Sequence, residues 1–228
     1  MLQDAKINTN ALKKINQAIK QNNKTTQIIA VTKTLSIKAV QSALENNIKI
    51  IGENRVVEAE KKFSSYQHRR KIQLHLIGHL QSNKVKKAVN VFDIIETADS
   101  EKTINLINRQ AKKIHKKQQI FIQVNIGEDQ NKFGFLKHQL EETLINIKQL
   151  ENIEIKGLMT VLPQNISTKK TTNLYLELKT IQEQVQRNHF KHCQLTSMGM
   201  SNDFEQAILA GSTHIRIGTL LYGQRQQH

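Results

Sequence analysis

The chain has one cysteine, one proline, no tryptophan and only nine glycines among its 228 residues. A single thiol, Cys193, rules out a disulfide framework within one chain, and with it the small stapled scaffolds of secreted domains. No apolar run approaches the roughly 18 residues that a membrane helix requires, so no span is expected. The start, Met1-Leu2-Gln3-Asp4, leads into a polar amphipathic stretch and lacks the basic and then apolar pattern of a secretory signal. With 38% hydrophobic residues and a mean hydropathy of −0.51, the composition fits a soluble protein, expected in the cytoplasm.

Acidic residues are also scarce, 19 against 34 Lys and Arg, for a net charge of +15. Clustered cations would suggest a nucleic-acid partner, because neutralising phosphates releases counterions. Here the basic residues are mostly Lys, scattered along the chain among abundant Ile, Asn and Gln, as codon usage in an AT-rich genome would produce. Aromatics make up only 4% of the chain, too few for a stacking platform for single strands. The charge therefore reads as a solvated basic surface with no nucleic-acid partner, and a basic nucleic-acid-binding barrel stands only as a third reading.

What the chain does have is alternation from end to end. Strand-like apolar runs occur at Gln27–Val31, Ile48–Ile51, Leu74–Ile77, Val91–Ile95, Ile120–Ile126, Ile153–Val161, Gln194–Met198 and His214–Ile217. Between them lie stretches with helical spacing: Ile104, Ile107, Ala111, Ile114; Leu136, Leu140, Leu144, Ile147; and Leu174, Leu178, Ile181, Val185. A further helix, with Leu12, Ile15 and Ile19 on one face, precedes the first strand and would close the barrel bottom or pack outside it. The pattern predicts a single (β/α)₈ barrel domain over residues 1–228, with a doubly wound open sheet as the alternative. No Gly-x-Gly-x-x-Gly follows the first strand, and no linker divides the chain. Pro163 with Gln164-Asn165-Ile166-Ser167 reads as a loop after the sixth strand.

In such a barrel, chemistry collects where the strands end. Lys33 closes the first run, and a lysine there can form a Schiff base if its pKa is lowered. Ser197-Met198-Gly199-Met200-Ser201 and Arg216-Ile217-Gly218-Thr219 supply small residues and backbone N–H groups for a phosphate. Four of the scarce glycines, Gly52, Gly78, Gly199 and Gly218, lie in or just after apolar runs, where close backbone approach or positive φ is needed. Together these residues suggest a pyridoxal phosphate site. The histidines show no metal-ligand spacing, and no metal is expected.

The segments Ala30-Val31-Thr32-Lys33, Gly52-Glu53-Asn54, His75-Leu76-Ile77-Gly78 and Leu80-Gln81-Ser82-Asn83-Lys84 resemble the pyridoxal phosphate homeostasis family. So do Gln123-Val124-Asn125-Ile126, Lys156-Gly157-Leu158-Met159, Ser197 to Asp203 and Arg216-Ile217-Gly218-Thr219, in order from about Ile28 to Gly223. Its members are single-domain proteins similar to the N-terminal barrel of alanine racemase, a fold-type III pyridoxal phosphate protein. The resemblance implies that Lys33 holds the cofactor as a Schiff base. It implies that Ser197, Gly218 and Thr219 bind the phosphate, with Ser201 assisting. It places Arg216 near the pyridine nitrogen, Asn54 near the ring and His75 in the same pocket. A guanidinium has donors and no acceptor, so it favours an unprotonated ring nitrogen and weakens the cofactor as an electron sink.

Around these, Glu53 would orient Asn54 or Lys33 or cap the next helix, and Asp203 and Glu205 read as capping carboxylates. Cys193 reads as a small core residue. Alanine racemases of this type carry a second, all-β domain and a tyrosine base from across a dimer interface. Here the chain stops five residues after Gly223, and Tyr66, Tyr175 and Tyr222 stand in no catalytic motif. The expectation is therefore a monomeric cofactor carrier with no catalytic residue, handing pyridoxal phosphate to vitamin-B6-dependent apoenzymes and meeting amino acids as further ligands. The alternative is a weak or narrow amino-acid racemase using Lys33 as one base.

Overall fold

The computed structural model describes residues 2–22 and 25–224. Its eight strands are β1 (Gln27–Val31), β2 (Ile50–Glu53), β3 (Gln73–Leu76), β4 (Ile94–Ala98), β5 (Gln118–Gln123), β6 (Ile153–Met159), β7 (Leu195–Ser197) and β8 (His214–Ile217). Each pairs in parallel with the next, and β8 returns to β1 in the register Ile29↔Arg216 and Ala30↔Ile217. That last pairing closes the sheet and excludes the open doubly wound alternative.

Helices follow where one face is apolar and a cap is available. They are α1 (Thr9–Asn22), α2 (Ile37–Glu45), α3 (Val56–Phe63), α4 (Val85–Val91), α5 (Glu101–Lys113), α6 (Lys137–Ile147), α7 (Thr168–Asn188), α8 (Phe204–Leu209) and α9 (Thr219–Tyr222). Ser36, Ser100 and Ser167 cap α2, α5 and α7 with their hydroxyls, satisfying N–H groups that a helix start leaves open. In α5, Ile104, Ile107 and Ala111 are buried as the spacing requires, while Ile114 lies past the helix end and is exposed. The first helix, α1, packs against α8 and α9, outside the barrel wall. Among the described residues no helix is long and apolar enough to cross a membrane.

The fourth strand departs from the expected Val91–Ile95. Val85, Ala88 and Val89 form the buried face of α4, which takes in Val91, so the strand starts at Ile94 and runs on through Glu96, Thr97 and Ala98. The second strand likewise extends past its apolar run to Glu53. In both, a buried carboxylate sits in the strand itself. Apolar residues fill the space between sheet and helices, and Ile94, Phe121 and Met159 form a separate small cluster within the barrel.

Candidate functional site

Side chains on β3, β4, β7 and β8 meet across the barrel, which is possible only through its interior. Arg216 donates from Nη1 to Ser197 Oγ at 2.8 Å and from Nη2 to the Thr160 carbonyl at 2.7 Å. Ser197 in turn donates its proton to Glu96 Oε2 at 2.6 Å. The other Glu96 oxygen lies 2.5 Å from His75 Nδ1, and His75 Nε2 lies 3.1 Å from Gln73 Oε1. Arg216, Ser197, Glu96 and His75 are all buried. Burial alone would raise the Glu96 pKa, but the His75 bond, the charges of His75 and Arg216 and the Ser197 hydroxyl outweigh it and hold the group below the usual carboxylate range. His214, alongside, is pushed down to about 4, chiefly by burial, and is therefore neutral near pH 7.

Above this chain lies the rim. Lys33 sits half-buried in the turn that follows β1. The residue before it is clamped: Lys62 of α3 donates to the Thr32 carbonyl at 2.8 Å and to Glu53 Oε1 at 2.7 Å, and the Thr32 hydroxyl donates to the same oxygen at 2.6 Å. Of the roles expected for Glu53, orienting Asn54 or Lys33 or capping the next helix, it neither bonds Asn54 nor caps α3; it holds Thr32, the residue before Lys33. It faces the helix layer, where Lys62 supplies the countercharge. Burial raises its pKa, only partly offset by Lys62 and Thr32.

Gly218 caps the four-residue helix α9 and Thr219 opens it, so this helix starts just past β8, beside β1. Ser201 is tied to the same turn, its hydroxyl accepting from the Leu220 N–H at 3.2 Å. Gly199 holds φ +94, and an added Cβ would come within 2.4 Å of the Ala207 Cβ, so only glycine fits. Its carbonyl accepts from the Arg216 N–H at 2.9 Å, which joins the Ser197 to Ser201 loop to β8. The Asp203 side chain does not cap α8; it accepts from the Met200 N–H at 2.5 Å and steadies this loop instead. Asn54 is half-buried just past β2, and Gly78 packs against it so closely that a Cβ would fall 2.2 Å from the Asn54 carbonyl oxygen.

The structure thus brings Lys33, Gly218, Thr219 and Ser201 to one rim and sets Arg216 beneath it. Two expected site residues lie deeper. His75 is paired with Glu96 inside the barrel instead of sharing a pocket with Asn54. The Ser197 hydroxyl directs its hydrogen bond to Glu96, because the interior offers it a carboxylate. Glu96 itself escaped the sequence reading. A lone charge in Ile94-Ile95-Glu96-Thr97-Ala98, amid β-branched residues, was the available signal. Cys193 is buried, and burial pushes its thiol up to about 12, as suits an inert core position. Among the described residues no group of three or more His, Cys, Asp or Glu is arranged to hold a metal ion.

The family model of the alanine racemase N-terminal domain matches residues 7–226. A pyridoxal phosphate homeostasis protein of Synechocystis is 35% identical over 199 residues, spanning 87% of this chain and 91% of that one. The structure of PipY from Synechococcus elongatus without PLP superimposes with a TM-score of 0.87 at 32% identity, covering 94% of this chain and 99% of PipY. PipY with PLP bound gives 0.84 at 30% identity, covering 93% of this chain and all (100%) of PipY. The likeness thus runs the length of the barrel, and the chain belongs to the alanine racemase N-terminal domain family and, within it, to the pyridoxal phosphate homeostasis proteins.

Proposed function

We propose that the protein binds pyridoxal phosphate at Lys33 and holds it in reserve for vitamin-B6-dependent apoenzymes, as a monomer and without efficient turnover of its own. One observation carries this reading: the β1–β8 register, Ile29↔Arg216 and Ala30↔Ile217, sets the rim lysine next to Gly218 and Thr219, with a guanidinium just inside. The donor set fits the cofactor's chemistry. It offers an amine for an aldehyde, helix-start N–H groups and hydroxyls for a phosphate dianion, and a donor without lone pairs for a ring nitrogen. When bound, the cofactor supplies a reversible imine to an amine and a ring able to draw electrons from it.

The protein's own residues favour holding over turnover. Arg216, anchored at both Nη atoms, keeps a ring nitrogen beside it unprotonated and so opposes carbanion stabilisation. The tyrosines serve packing. Tyr222 donates to the Ala39 carbonyl at 3.1 Å. Tyr175 is buried, with its pKa raised chiefly by burial and also by Asp203. Tyr66 packs edge-on against Phe63 and His68, away from the rim. The relatives likewise carry the name of homeostasis proteins. The alanine racemase family match favours one second reading, a weak racemase with Lys33 as a base.

Incubating the cofactor-loaded protein with an apo-aminotransferase distinguishes the two. The account expects recovered aminotransferase activity and no deuterium uptake at the Cα of amino acids in heavy water. Rapid exchange or inversion of any amino acid, lost in Lys33→Ala, would replace it with the racemase.

A further inference from the structure

We propose that Glu96 is a positioning residue for Arg216, holding the guanidinium in one posture through the Ser197 hydroxyl and thereby setting the electrostatics felt by the bound cofactor. This rests on the pyridoxal phosphate reading above. It concerns a carboxylate that neither the sequence motifs nor that reading assigns.

The bonds leave little freedom. Ser197 has one proton, and at 2.6 Å it goes to Glu96 Oε2, so only a lone pair is left for Arg216 Nη1 at 2.8 Å. The polarity of the chain is therefore fixed from Arg216 through Ser197 to Glu96, and the Thr160 carbonyl at 2.7 Å holds the other Nη. A wholly buried carboxylate with both oxygens engaged gives the buried guanidinium a countercharge without touching it, which leaves the guanidinium's remaining N–H groups uncommitted to a carboxylate. Other groups facing Glu96 are His75 from β3 and His214 from β8, while Phe121 of β5 and Met159 of β6 are apolar. His214 is already neutral well below pH 7, so in the neutral range it adds no charge to this balance.

The test is the pH titration of the visible absorption band of bound pyridoxal phosphate, in wild type, Glu96→Gln, Arg216→Gln and the double variant. With its oxygen toward Ser197 and its NH2 toward His75 Nδ1, which accepts when the ring carries its proton on Nε2 toward Gln73, glutamine keeps the shape and both contacts, so Glu96→Gln removes the charge and reverses only the His75 bond. With Arg216 left unbalanced, a positive charge on the bound cofactor is disfavoured, and the titration should move down by about one pH unit. In the Arg216→Gln background the same change should shift it severalfold less, because the residue through which Glu96 acts is gone. That double variant has no unpaired buried charge at these two positions, and if Glu96→Gln alone does not fold, Ser197→Ala, which keeps the Glu96 charge but takes away the anchor of Arg216 Nη1, should also move the titration, in either direction. Equal shifts in both backgrounds, or none in Glu96→Gln and Ser197→Ala, would overturn the proposal. A wild-type protein that takes up no pyridoxal phosphate would defeat the underlying reading as well, and would be seen before any variant is made.

Discussion

Among the described residues two side-chain carboxylates are wholly buried in this barrel, one on each side of its wall, and they behave in opposite ways. Glu53 faces the helices, pairs with Lys62 and Thr32 through one oxygen, and leaves Oε2 with no hydrogen-bond partner. Glu96 faces the interior and has both oxygens engaged. Burial wins at Glu53 and raises its pKa; hydrogen bonds and nearby positive charge win at Glu96 and lower it. Burial alone does not decide the charge state of a carboxylate. The number and sign of its partners do, and here they separate a latch that fixes the backbone before Lys33 from a chain that reaches Arg216.

The sharpest way to break the comparison is Lys62→Met, which strands Glu53 without its cation. Breaking a buried pair from one side destabilises by about 3–5 kcal/mol, and thermal unfolding should show it. Since the folded pKa of Glu53 is raised, its protonated form is favoured on folding. Stability from this group is present at acid pH and lost as pH rises through the folded value. The variant should therefore recover part of its loss toward the acid carboxylate range. A loss independent of pH would show that packing, not charge, is what Lys62 provides.

Glu96→Gln should destabilise less, by roughly 1.5–3 kcal/mol, the scale of hydrogen bonds to a charged group. The sign with pH is reversed. A depressed folded pKa stabilises above the unfolded value and loses that contribution as pH falls through the folded one. Unfolding of Glu96→Gln should accordingly be less sensitive to acid than that of wild type. Parallel acid profiles for the two proteins would contradict the assignment of opposite shifts to the two carboxylates.

The architecture was readable because eight apolar runs separated by helical spacing leave few arrangements, and the β1–β8 pairing then follows from closure. That Lys33, Gly218 and Thr219 stand at strand ends was readable because each lies within two residues of such a run. Glu96 was not, since apolar counting ends the fourth strand at Ile95 and helix α4 claims the Val91 end. Nor could the sequence show that Ser197 spends its proton inside the barrel: its partner Glu96 is 101 positions away. Residues that point into a barrel find partners across it, and no local pattern records that.

The smallest effect is expected at the rim. Thr219→Ala should weaken cofactor retention about tenfold, near 1.5 kcal/mol for one charge-assisted bond to phosphate, with the position of the visible band unchanged. A changed band with undiminished retention would mean that Thr219 serves the ring instead.

Lys33, clamped in place through Thr32 and set beside the turn that opens α9, is the residue proposed to carry the cofactor. Borohydride reduction of the protein loaded with pyridoxal phosphate, followed by peptide mapping, tests it most directly. The account expects about one label per chain, on the peptide containing Lys33, and none at that site in Lys33→Ala. A label recovered only on other lysines would contradict it.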